Sequence, residues 1–294
     1  MTSMRAAAFT EPGPPDVLRL LEVPTPTAGP GEVRVRVRAA GVQPYDAAVR
    51  AGWTPPYLSA DDWPRIPGNE FAGITDDGRE VLGFSTLNAY AEYVVVPADQ
   101  VIAKPAAMPW DVAGGFSAGA QTAHIALEEL RVGPGDTLLI HGAAGAVGTV
   151  AVQLAGLAGA TVIGTASAAN QDYLRSLGAI PLRYGDGLID RVRDHKPTAV
   201  LDGAGGAALD VSLELVRDRD RILTLVDHDR ATTDGIKVTP FGRSGTRLAG
   251  LADLYAQGRL SFHIRRTYAL EQAADAHREI ETGHGRGKLV LTME

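Results

Sequence analysis

The residues with the clearest chemical potential form the glycine-rich stretch HGAAGAVG at 141–148. An apolar run at 137–140 precedes it, and the helix-like stretch TVAVQLAGLAG follows it. Aligned with the dinucleotide-binding fingerprint, it has Ala143 in the first glycine position and Gly145 and Gly148 in the other two. Gly145 would allow the backbone to approach a pyrophosphate, and Gly148 would allow the helix to pack closely on the strand.

The start of the following helix adds groups that suit phosphate binding. The first N–H groups of a helix, here at Ala146 and Val147, have no acceptor within the helix and carry the positive end of its dipole. Strand, turn and helix occur in this order, and further strands and helices alternate after them. We therefore predict that residues 143–148 bind the pyrophosphate of a dinucleotide.

The end of the second strand of this region indicates which dinucleotide binds. That strand, TVIGTAS, ends in Ser167, and the next carboxylate, Asp172, falls in the following helix. A site for NAD usually has Asp or Glu at this strand end, about 20 residues after the glycines, to bind the ribose diol. Here no charge repels a 2′-phosphate and the Ser167 hydroxyl can donate to one, so the pattern favours NADP(H).

Metal and thiol chemistry have few candidate ligands in this chain. The 294 residues include no Cys, which excludes disulfides, a thiol nucleophile and every thiolate metal site. The seven His residues are dispersed, and the only metal-like cluster is DHD at 227–229. We interpret that cluster as an acidic loop after the last strand of the α/β region, and we predict no metal site.

Composition and charge narrow the class of protein further. With 45% hydrophobic residues the chain can bury the cores of two domains, and its net charge of −7 argues against a nucleic-acid partner. Arg alternates with Val at 33–40, which predicts a half-buried strand with a solvated Arg face rather than a basic patch. No apolar run of about 18 residues and no secretory leader occur, so we expect a cytoplasmic protein without a membrane partner.

The order of predicted elements gives the fold class and the domains. Short β-like runs separated by Pro and Gly fill the first 110 residues, whereas strands and helices alternate from Thr137 to RILTLV at 221–226, where the run closes. The last residues return to strand, helix and strand, and we expect them to rejoin the first module. The prediction is an α/β protein with a doubly wound, parallel Rossmann domain at 112–258 and a mainly β domain formed by 1–111 and 259–294.

Several segments together resemble the zinc-free quinone oxidoreductase (zeta-crystallin-like) branch of the medium-chain dehydrogenase/reductases. In chain order they are GEVRVRVRAAGVQPYDAAVRAG, IPGNEFAG, AYAEYVVVPADQVIAKP, VGPGDTLLIHGAAGAVG, LRSLGA and GRGKLVL. The resemblance covers nearly the whole chain, and the combination is more specific than any one segment. It implies a GroES-like fold for the β domain, and a homodimer in which IKVTPF at 236–241 pairs across a two-fold axis.

The resemblance also bears on the metal. Zinc-dependent relatives carry Cys in the loop that is GVQPYD here and His in the segment GHE, and this chain has Gln43 and Asn69 at those positions. Neither residue is a plausible catalytic zinc ligand. The resemblance therefore supports the prediction of an enzyme without zinc.

Cofactor contacts are carried over residue by residue. Ser167 and Tyr184 match positions that contact the 2′-phosphate, and Thr122, in AQTAH, matches a threonine close to the nicotinamide. Asn170 stands where relatives have a phosphate-binding Lys, a departure that predicts a weaker preference for NADP. The expected cofactor contacts are Thr122, Ala143, Gly145, Ala146, Val147, Gly148, Ser167, Asn170, Tyr184 and Phe241.

The predicted reaction is the transfer of hydride from NADPH to a quinone or an α,β-unsaturated carbonyl compound. Without a metal, hydrogen-bond donors must stabilise the negative charge that develops on oxygen, and the candidates are Gln43, Tyr45, Tyr57 and Asn69. Gln43 replaces the Asn of the family's GVN, and Thr54 stands where a Tyr is often found, so Tyr57 is a candidate substitute. These departures leave a non-catalytic NADPH-binding sensor open as an alternative.

Two other reductase classes are alternatives to a quinone or enone reductase. A short-chain reductase would need Tyr-x-x-x-Lys, and no Tyr of this chain has Lys four residues on. An enoyl-thioester reductase uses the same chemistry on a longer substrate, and only the pocket would distinguish it, so this alternative remains open.

Overall fold

The structure, a computed structural model, describes residues 2–55, 58–59 and 63–293. The chain divides into two compact units. The first unit contains residues 1–118, 244–256 and 263–294, and the second contains 119–243 and 257–262.

The elements of both units are numbered in chain order. The strands are β1 (Ser3–Ala8), β2 (Arg19–Pro24), β3 (Glu32–Val42), β4 (Glu70–Thr75), β5 (Glu80–Phe84), β6 (Tyr93–Pro97), β7 (Val101–Ala103), β8 (Thr137–His141), β9 (Thr161–Ala166), β10 (Ile180–Arg183), β11 (Ala199–Asp202), β12 (Ile222–Thr224), β13 (Lys237–Val238), β14 (Ile264–Ala269) and β15 (Lys288–Thr292). The α-helices are α1 (Pro44–Arg50), α2 (Trp110–Glu129), α3 (Ala146–Leu157), α4 (Gln171–Ser176), α5 (Leu188–Arg193), α6 (Gly206–Leu215), α7 (His228–Asp234), α8 (Gly245–Ala256) and α9 (Ala273–Glu281).

A mainly antiparallel sheet dominates the first unit. Its strand order is β14-β15-β3-β4-β5-β7, with β6 also paired to β3, while β1 and β2 form a separate antiparallel pair. The alternation along β3 buries Val35 and Val37 and exposes Arg36 between them, because successive side chains of a strand point to opposite faces. This confirms the predicted half-buried strand.

The end of the chain completes this sheet, as the sequence predicts. β15 pairs antiparallel with β3, and β14 pairs parallel with β15. Leu289 and Leu291 of β15 are fully buried in the same core as Val37 and Phe71. The last strand therefore gains its stability from apolar contacts with residues about 200 positions earlier in the chain.

The second unit is built on a parallel sheet. Its strand order is β10-β9-β8-β11-β12-β13, and every adjacent pair is parallel. Numbered within the unit, this is the order 3-2-1-4-5-6 of the doubly wound dinucleotide-binding fold, which confirms the predicted fold class. The order reverses at β8, and ligands of such sheets bind at the carboxyl ends of the strands beside that reversal.

Two local expectations for this unit were wrong. The alternation does not close at β12, because Lys237 and Val238 add a sixth strand parallel to it. The stretch DHD at 227–229 is not a simple loop either, since helix α7 begins at His228 with Asp227 before it. Two residues are too few to show the alternation of apolar and polar side chains that identifies a strand in a sequence. The place of β13 in the sheet therefore depends on its pairing with β12.

The predicted domain boundaries differ from the two units at α8, at residues 112–118 and at residues 259–262. We placed α8 in the Rossmann domain, and the structure groups it with the first unit, as it does residues 112–118. Gly245, at the start of α8, lies so close to the first unit that a Cβ there would stand 2.3 Å from the carbonyl oxygen of Asp99. Such close packing between distant segments has no local sequence signal.

None of the helices that the structure describes has the length and apolar character needed to cross a bilayer.

Candidate functional site

The glycine-rich turn directly follows β8, at the reversal point of the parallel sheet. Gly142 has a φ of 70°, which favours glycine, and a Cβ there would stand 2.9 Å from the carbonyl oxygen of Gly203. Ala143 is fully buried, and its N–H donates to the carbonyl oxygen of Thr165 on β9 at 3.1 Å. The left-handed residue of the turn is therefore Gly142, which explains why the first fingerprint position can be Ala143.

Gly145 and Gly148 differ in what surrounds them. A Cβ on Gly148 would stand 2.5 Å from the Gly142 oxygen and 2.6 Å from the Ala143 Cα, so only glycine lets α3 pack on this turn. This confirms the predicted packing role of Gly148. A Cβ on Gly145 would meet only the Gly142 oxygen, at 3.3 Å, and the backbone of Gly145 is extended (φ −71°, ψ 175°). Gly145 is thus compatible with a side chain as far as the fold itself is concerned.

The first turn of α3 fits the pyrophosphate of a dinucleotide. Gly145 is the residue before the helix, and Ala146 and Val147 are its first two residues, both half-buried. Their N–H groups have no acceptor within the helix, and the first turn contains no acidic residue that would repel a phosphate. A small-residue turn, helix N–H donors and an absence of negative charge are the features that a bound pyrophosphate needs.

The predicted 2′-phosphate contacts lie together at the adjacent strand ends. Asn170 donates a hydrogen bond from Nδ2 to the Ser167 Oγ at 3.2 Å. The N–H of Tyr184 donates to the carbonyl oxygen of Ala166 at 3.3 Å, which places Tyr184 beside the end of β9. Asp172 lies on α4, after this strand end, and forms an ion pair with Arg175.

Two other predicted cofactor residues lie elsewhere in the second unit. Thr122 is half-buried on α2, and Phe241 is 96% exposed beyond β13. The cofactor-binding roles of Thr122 and Phe241 stay predictions.

His141, the last residue of β8, was not identified from the sequence, and it connects the elements next to this turn by hydrogen bonds. The Ser212 hydroxyl donates its proton to the carbonyl oxygen of Ala208. It therefore accepts a hydrogen bond from His141 Nε2, at 3.0 Å. The other ring nitrogen, Nδ1, then accepts a hydrogen bond from the Thr165 hydroxyl at 2.9 Å. Burial lowers the pKa of His141 to about 4, although the nearby Asp202 carboxylate opposes the shift. A neutral His141 therefore joins β8, β9 and α6 directly before the turn.

The first unit brings two of the predicted charge-stabilising residues into contact. Gln43 precedes α1 and Asn69 precedes β4, and the Gln43 side-chain amide donates a hydrogen bond to the Asn69 Oδ1. Asn69 is 4% exposed, whereas Gln43 is half-buried. Gln43 is thus the member of the pair that a ligand can reach, and Asn69 orients it.

Asp46, a buried carboxylate that we did not predict, lies behind this pair. Its Oδ2 accepts from the N–H of Gln43 at 3.1 Å and from the hydroxyl of Tyr90 at 3.1 Å, and its Oδ1 accepts from the N–H of Gly68 at 3.0 Å. Burial raises the pKa of Asp46 to about 6, while the Lys288 ammonium and these hydrogen bonds oppose the rise. The motif QPYD could have suggested the position, because an acidic residue three positions after a helix cap often bonds back to the cap.

A buried ion pair completes the polar interior of the first unit. The Lys288 Nζ lies 2.6 Å from Glu70 Oε1, and Glu70 Oε2 accepts from the N–H of Ala118 at 2.6 Å. A Cβ on Gly41 would stand 2.0 Å from Glu70 Oε1, so a side chain at this position would have to displace the Glu70 and Lys288 side chains. Sequence reasoning missed this pair, since its partners lie more than 200 residues apart.

The two tyrosine candidates have different outcomes. The Tyr45 ring packs edge-on against Trp53, with ring centroids 5.5 Å apart, and also against the core of the first unit. Trp53 is 50% exposed. Tyr57 lies outside the described residues. The contribution of either tyrosine to catalysis stays a prediction.

Among the residues that the structure describes, no three His, Asp or Glu side chains come close enough together to hold a metal ion. Independence from zinc itself stays a prediction.

Comparison with known proteins gives a consistent picture. Residues 29–86 match the family described as "alcohol dehydrogenase GroES-like domain", and residues 186–291 match the family described as "zinc-binding dehydrogenase". The solved structure of the quinone oxidoreductase from Coxiella burnetii is 30% identical, with a TM-score of 0.88 over 100% of both chains. A 2-haloacrylate reductase from a Burkholderia species is 29% identical over 97% of this chain and 98% of that protein.

Larger proteins match as well. The pikromycin polyketide synthase component PikAII from Streptomyces venezuelae is 32% identical over 90% of this chain. PikAII and two further polyketide synthase proteins that the chain matches are much longer, and the chain spans 6% to 14% of their length.

Proposed function

Because the chain belongs to the quinone oxidoreductase family of the medium-chain dehydrogenase/reductases, we propose that it uses NADPH, without a metal, to reduce a quinone or an α,β-unsaturated carbonyl compound. Members of this superfamily bind a nicotinamide dinucleotide. The observation that carries the proposal is the hydrogen bond between Gln43 and Asn69, at the two positions where zinc-dependent relatives have Cys and His.

The second unit supplies the residues for binding the cofactor. When bound, the cofactor supplies the hydride for the reduction. The N–H groups at the start of α3 bind its pyrophosphate, and Gly145 leaves room for that approach. Ser167 and Tyr184 are assigned to the 2′-phosphate, because they lie together at a strand end without a carboxylate.

Gln43 is assigned to the oxygen that becomes negative during reduction. An amide nitrogen has two N–H groups, and one of those on Gln43 is directed to Asn69. The second N–H is the donor for the enolate or phenolate oxygen. Because Asn69 is buried and Gln43 is bonded to it, the donor is oriented before the substrate arrives, which is the condition for an effective oxyanion donor. The proton needed to complete the product comes from solvent.

The aromatic surface near Gln43 supports a flat, conjugated substrate. Tyr45 follows Gln43 by two residues, and its ring supports Trp53, half of whose surface is exposed. Aromatic faces stack well with conjugated rings, which favours a quinone over an aliphatic substrate.

An enoyl thioester is the second candidate substrate. The specific observation in its favour is the similarity to a polyketide synthase component over 90% of the chain. Reduction of an enoyl thioester would use the same oriented donor, since it also develops negative charge on a carbonyl oxygen.

We also propose that the protein forms a homodimer through β13. This strand lies at the edge of the parallel sheet, where Val238 is 40% exposed and Phe241 is 96% exposed. Unpaired edge strands pair readily with a second chain. Light scattering of the wild type and of Val238→Lys tests this, because a charged edge residue should shift a dimer toward monomer.

Anaerobic oxidation of NADPH with a panel of quinones, enones, enals and enoyl thioesters tests the proposed reaction. We expect the highest kcat/KM with a quinone or an enone. NADPH binding without turnover on any acceptor would refute the enzyme and favour a sensor.

A further inference from the structure

Gln43 and Asn69 lie on two separate loops, so their contact depends on how those loops are held. Gln43 is the single residue that connects β3 to α1, and Asn69 is the last residue of the loop before β4. Amide side chains gain little net free energy from one hydrogen bond, because the bond replaces hydrogen bonds to water. A contact of that strength does not by itself hold two loops in one arrangement.

The Asp46 carboxylate connects the two loops at the backbone. Its Oδ2 accepts the N–H of Gln43 itself, and its Oδ1 accepts the N–H of Gly68, the residue directly before Asn69. A hydrogen bond from an N–H group to an ionised carboxylate is stronger than one between neutral groups. Each oxygen of one fully buried side chain therefore fixes one member of the Gln43–Asn69 pair.

The surroundings of Asp46 keep this carboxylate in place. Tyr90, fully buried, donates to Oδ2 at 3.1 Å, and the Tyr90 ring lies so close to Gly68 that a Cβ there would stand 2.4 Å from the ring. Gly68 has a φ of 93°, which also favours glycine. The positive charge of Lys288 compensates the carboxylate within the same interior.

We propose that Asp46 is the positioning residue for the reaction: by binding the N–H groups of Gln43 and Gly68, it sets the direction in which the Gln43 amide meets the substrate oxygen. It acts through Gln43 and Asn69 and does not itself touch the substrate. This inference deepens the proposed function and rests on it.

The test compares Asp46→Asn, Asn69→Ala and the double variant in NADPH oxidation with 1,4-naphthoquinone. Asp46→Asn keeps the shape but replaces one acceptor oxygen with an amide nitrogen that cannot accept. We expect kcat to fall at least tenfold, with KM and the Kd for NADPH changed less than twofold. Because Asp46 acts partly through Asn69, the loss of kcat in the double variant should be smaller than the product of the losses in the two single variants.

Asp136→Asn is the matched control. Asp136 is also a carboxylate that accepts from a backbone N–H, that of Gly133 at 2.9 Å, and from a hydroxyl, that of Thr198 at 2.8 Å, but it lies at the amino end of β8. Replacement of the Asp136 carboxylate should lower the free energy of unfolding and leave kcat within twofold of the wild-type value. If Asp46→Asn does not fold by circular dichroism, Asp46→Ser, smaller but still an acceptor, takes its place with the same expectations.

Two outcomes would overturn the proposal. One is a kcat of the folded Asp46 variant within twofold of the wild type, and the other is an effect that multiplies with that of Asn69→Ala. A wild type that turns over no acceptor would refute the proposed function instead. The positioning role is then decided by the crystal structure of the variant, in which a retained Gln43–Asn69 hydrogen bond overturns it and a lost one supports it.

Discussion

The side-chain amide of Gln43 donates a hydrogen bond to the side-chain carbonyl of Asn69, a residue 26 positions later in the chain. Two neutral amides are thus hydrogen-bonded to each other at the positions that correspond, by the sequence resemblance, to two metal ligands of zinc-dependent relatives. An amide pair can orient a donor toward a substrate oxygen, but it does not attract a divalent cation as thiolate and imidazole do.

The purified protein should contain no stoichiometric zinc. The reason is the Gln43–Asn69 pair together with the absence of Cys from the whole chain. Elemental analysis measures the metal, and NADPH oxidation before and after dialysis against a chelator measures its importance. One equivalent of tightly bound zinc, the removal of which abolishes turnover, would contradict this prediction.

Gly145→Val should weaken NADPH binding at least tenfold while the protein still folds. A Cβ at this position meets only the Gly142 oxygen, at 3.3 Å, so the side chain would extend toward the phosphate-binding side of the turn. Fluorescence titration with NADPH measures the binding, and urea denaturation measures the fold. Unchanged affinity in a folded variant would show that the turn does not bind the pyrophosphate.

Gly148→Val is the matched comparison, and its main effect should be on stability. Its Cβ would overlap the backbone of Gly142 and Ala143 at 2.5 to 2.7 Å. Overpacking of this kind costs about 1 to 3 kcal/mol or more in the free energy of unfolding. A Gly148→Val protein as stable as the wild type would contradict the packing role.

The wild type should bind NADPH at least tenfold more tightly than NADH. Ser167 and Tyr184 lie together at a strand end that has no carboxylate, and one charge-assisted hydrogen bond to a phosphate contributes about 1.5 to 3 kcal/mol. Asn170, which replaces a Lys of relatives, argues for the lower part of that range. Titration with both cofactors measures the ratio.

Ser167→Asp should erase this preference. The new carboxylate would repel the 2′-phosphate and could accept hydrogen bonds from the ribose diol of NADH. Asp172, exposed on α4, offers the control Asp172→Asn, which should leave the ratio within twofold. Equal affinities in the wild type, or a Ser167→Asp protein still selective for NADPH, would show that the phosphate binds elsewhere.

The free energy of unfolding should decrease as the pH falls below about 6.5, in part because of His277. This side chain is fully buried, and its ring nitrogens have no hydrogen-bond partner among the described residues. Burial, together with the positive charge of Arg50, lowers the pKa of His277 to about 3. In the window between pH 3 and 6.5 the unfolded chain binds a proton that the folded chain does not, which removes about 1.4 kcal/mol per pH unit.

Urea denaturation at several pH values between 4.5 and 7 measures this slope in the wild type and in His277→Leu. The variant should lose about 1.4 kcal/mol per pH unit of slope, because Leu does not titrate. His141, with a pKa lowered to about 4, contributes to the slope in the same direction as His277. Asp46, with a pKa raised to about 6, contributes in the opposite direction. Both contributions are the same in the wild type and in His277→Leu. His284→Leu, at an exposed position, should keep the wild-type slope, and an unchanged slope in His277→Leu would contradict the assignment.

Much of the fold was predictable because its signals are local. The alternation of Val and Arg along β3 and the order of strand, glycine turn and helix at 137–157 are each contained in about 20 residues or fewer. Backbone conformation and the period of apolar residues depend on such near neighbours. The parallel sheet and the packing role of Gly148 were predicted in this way.

The remaining features depend on tertiary structure. Helix α8 has the same local pattern wherever it packs, and only its contact with the loop at Asp99 assigns it to the first unit. The sequence by itself predicted that Gln43 and Asn69 stand at the metal-ligand positions of zinc-dependent relatives. Only the pairing of distant strands decided that these two amides meet and that Asp46 binds the backbone of both loops, because hydrogen bonds between loops exist only after the sheet has set the distance between them.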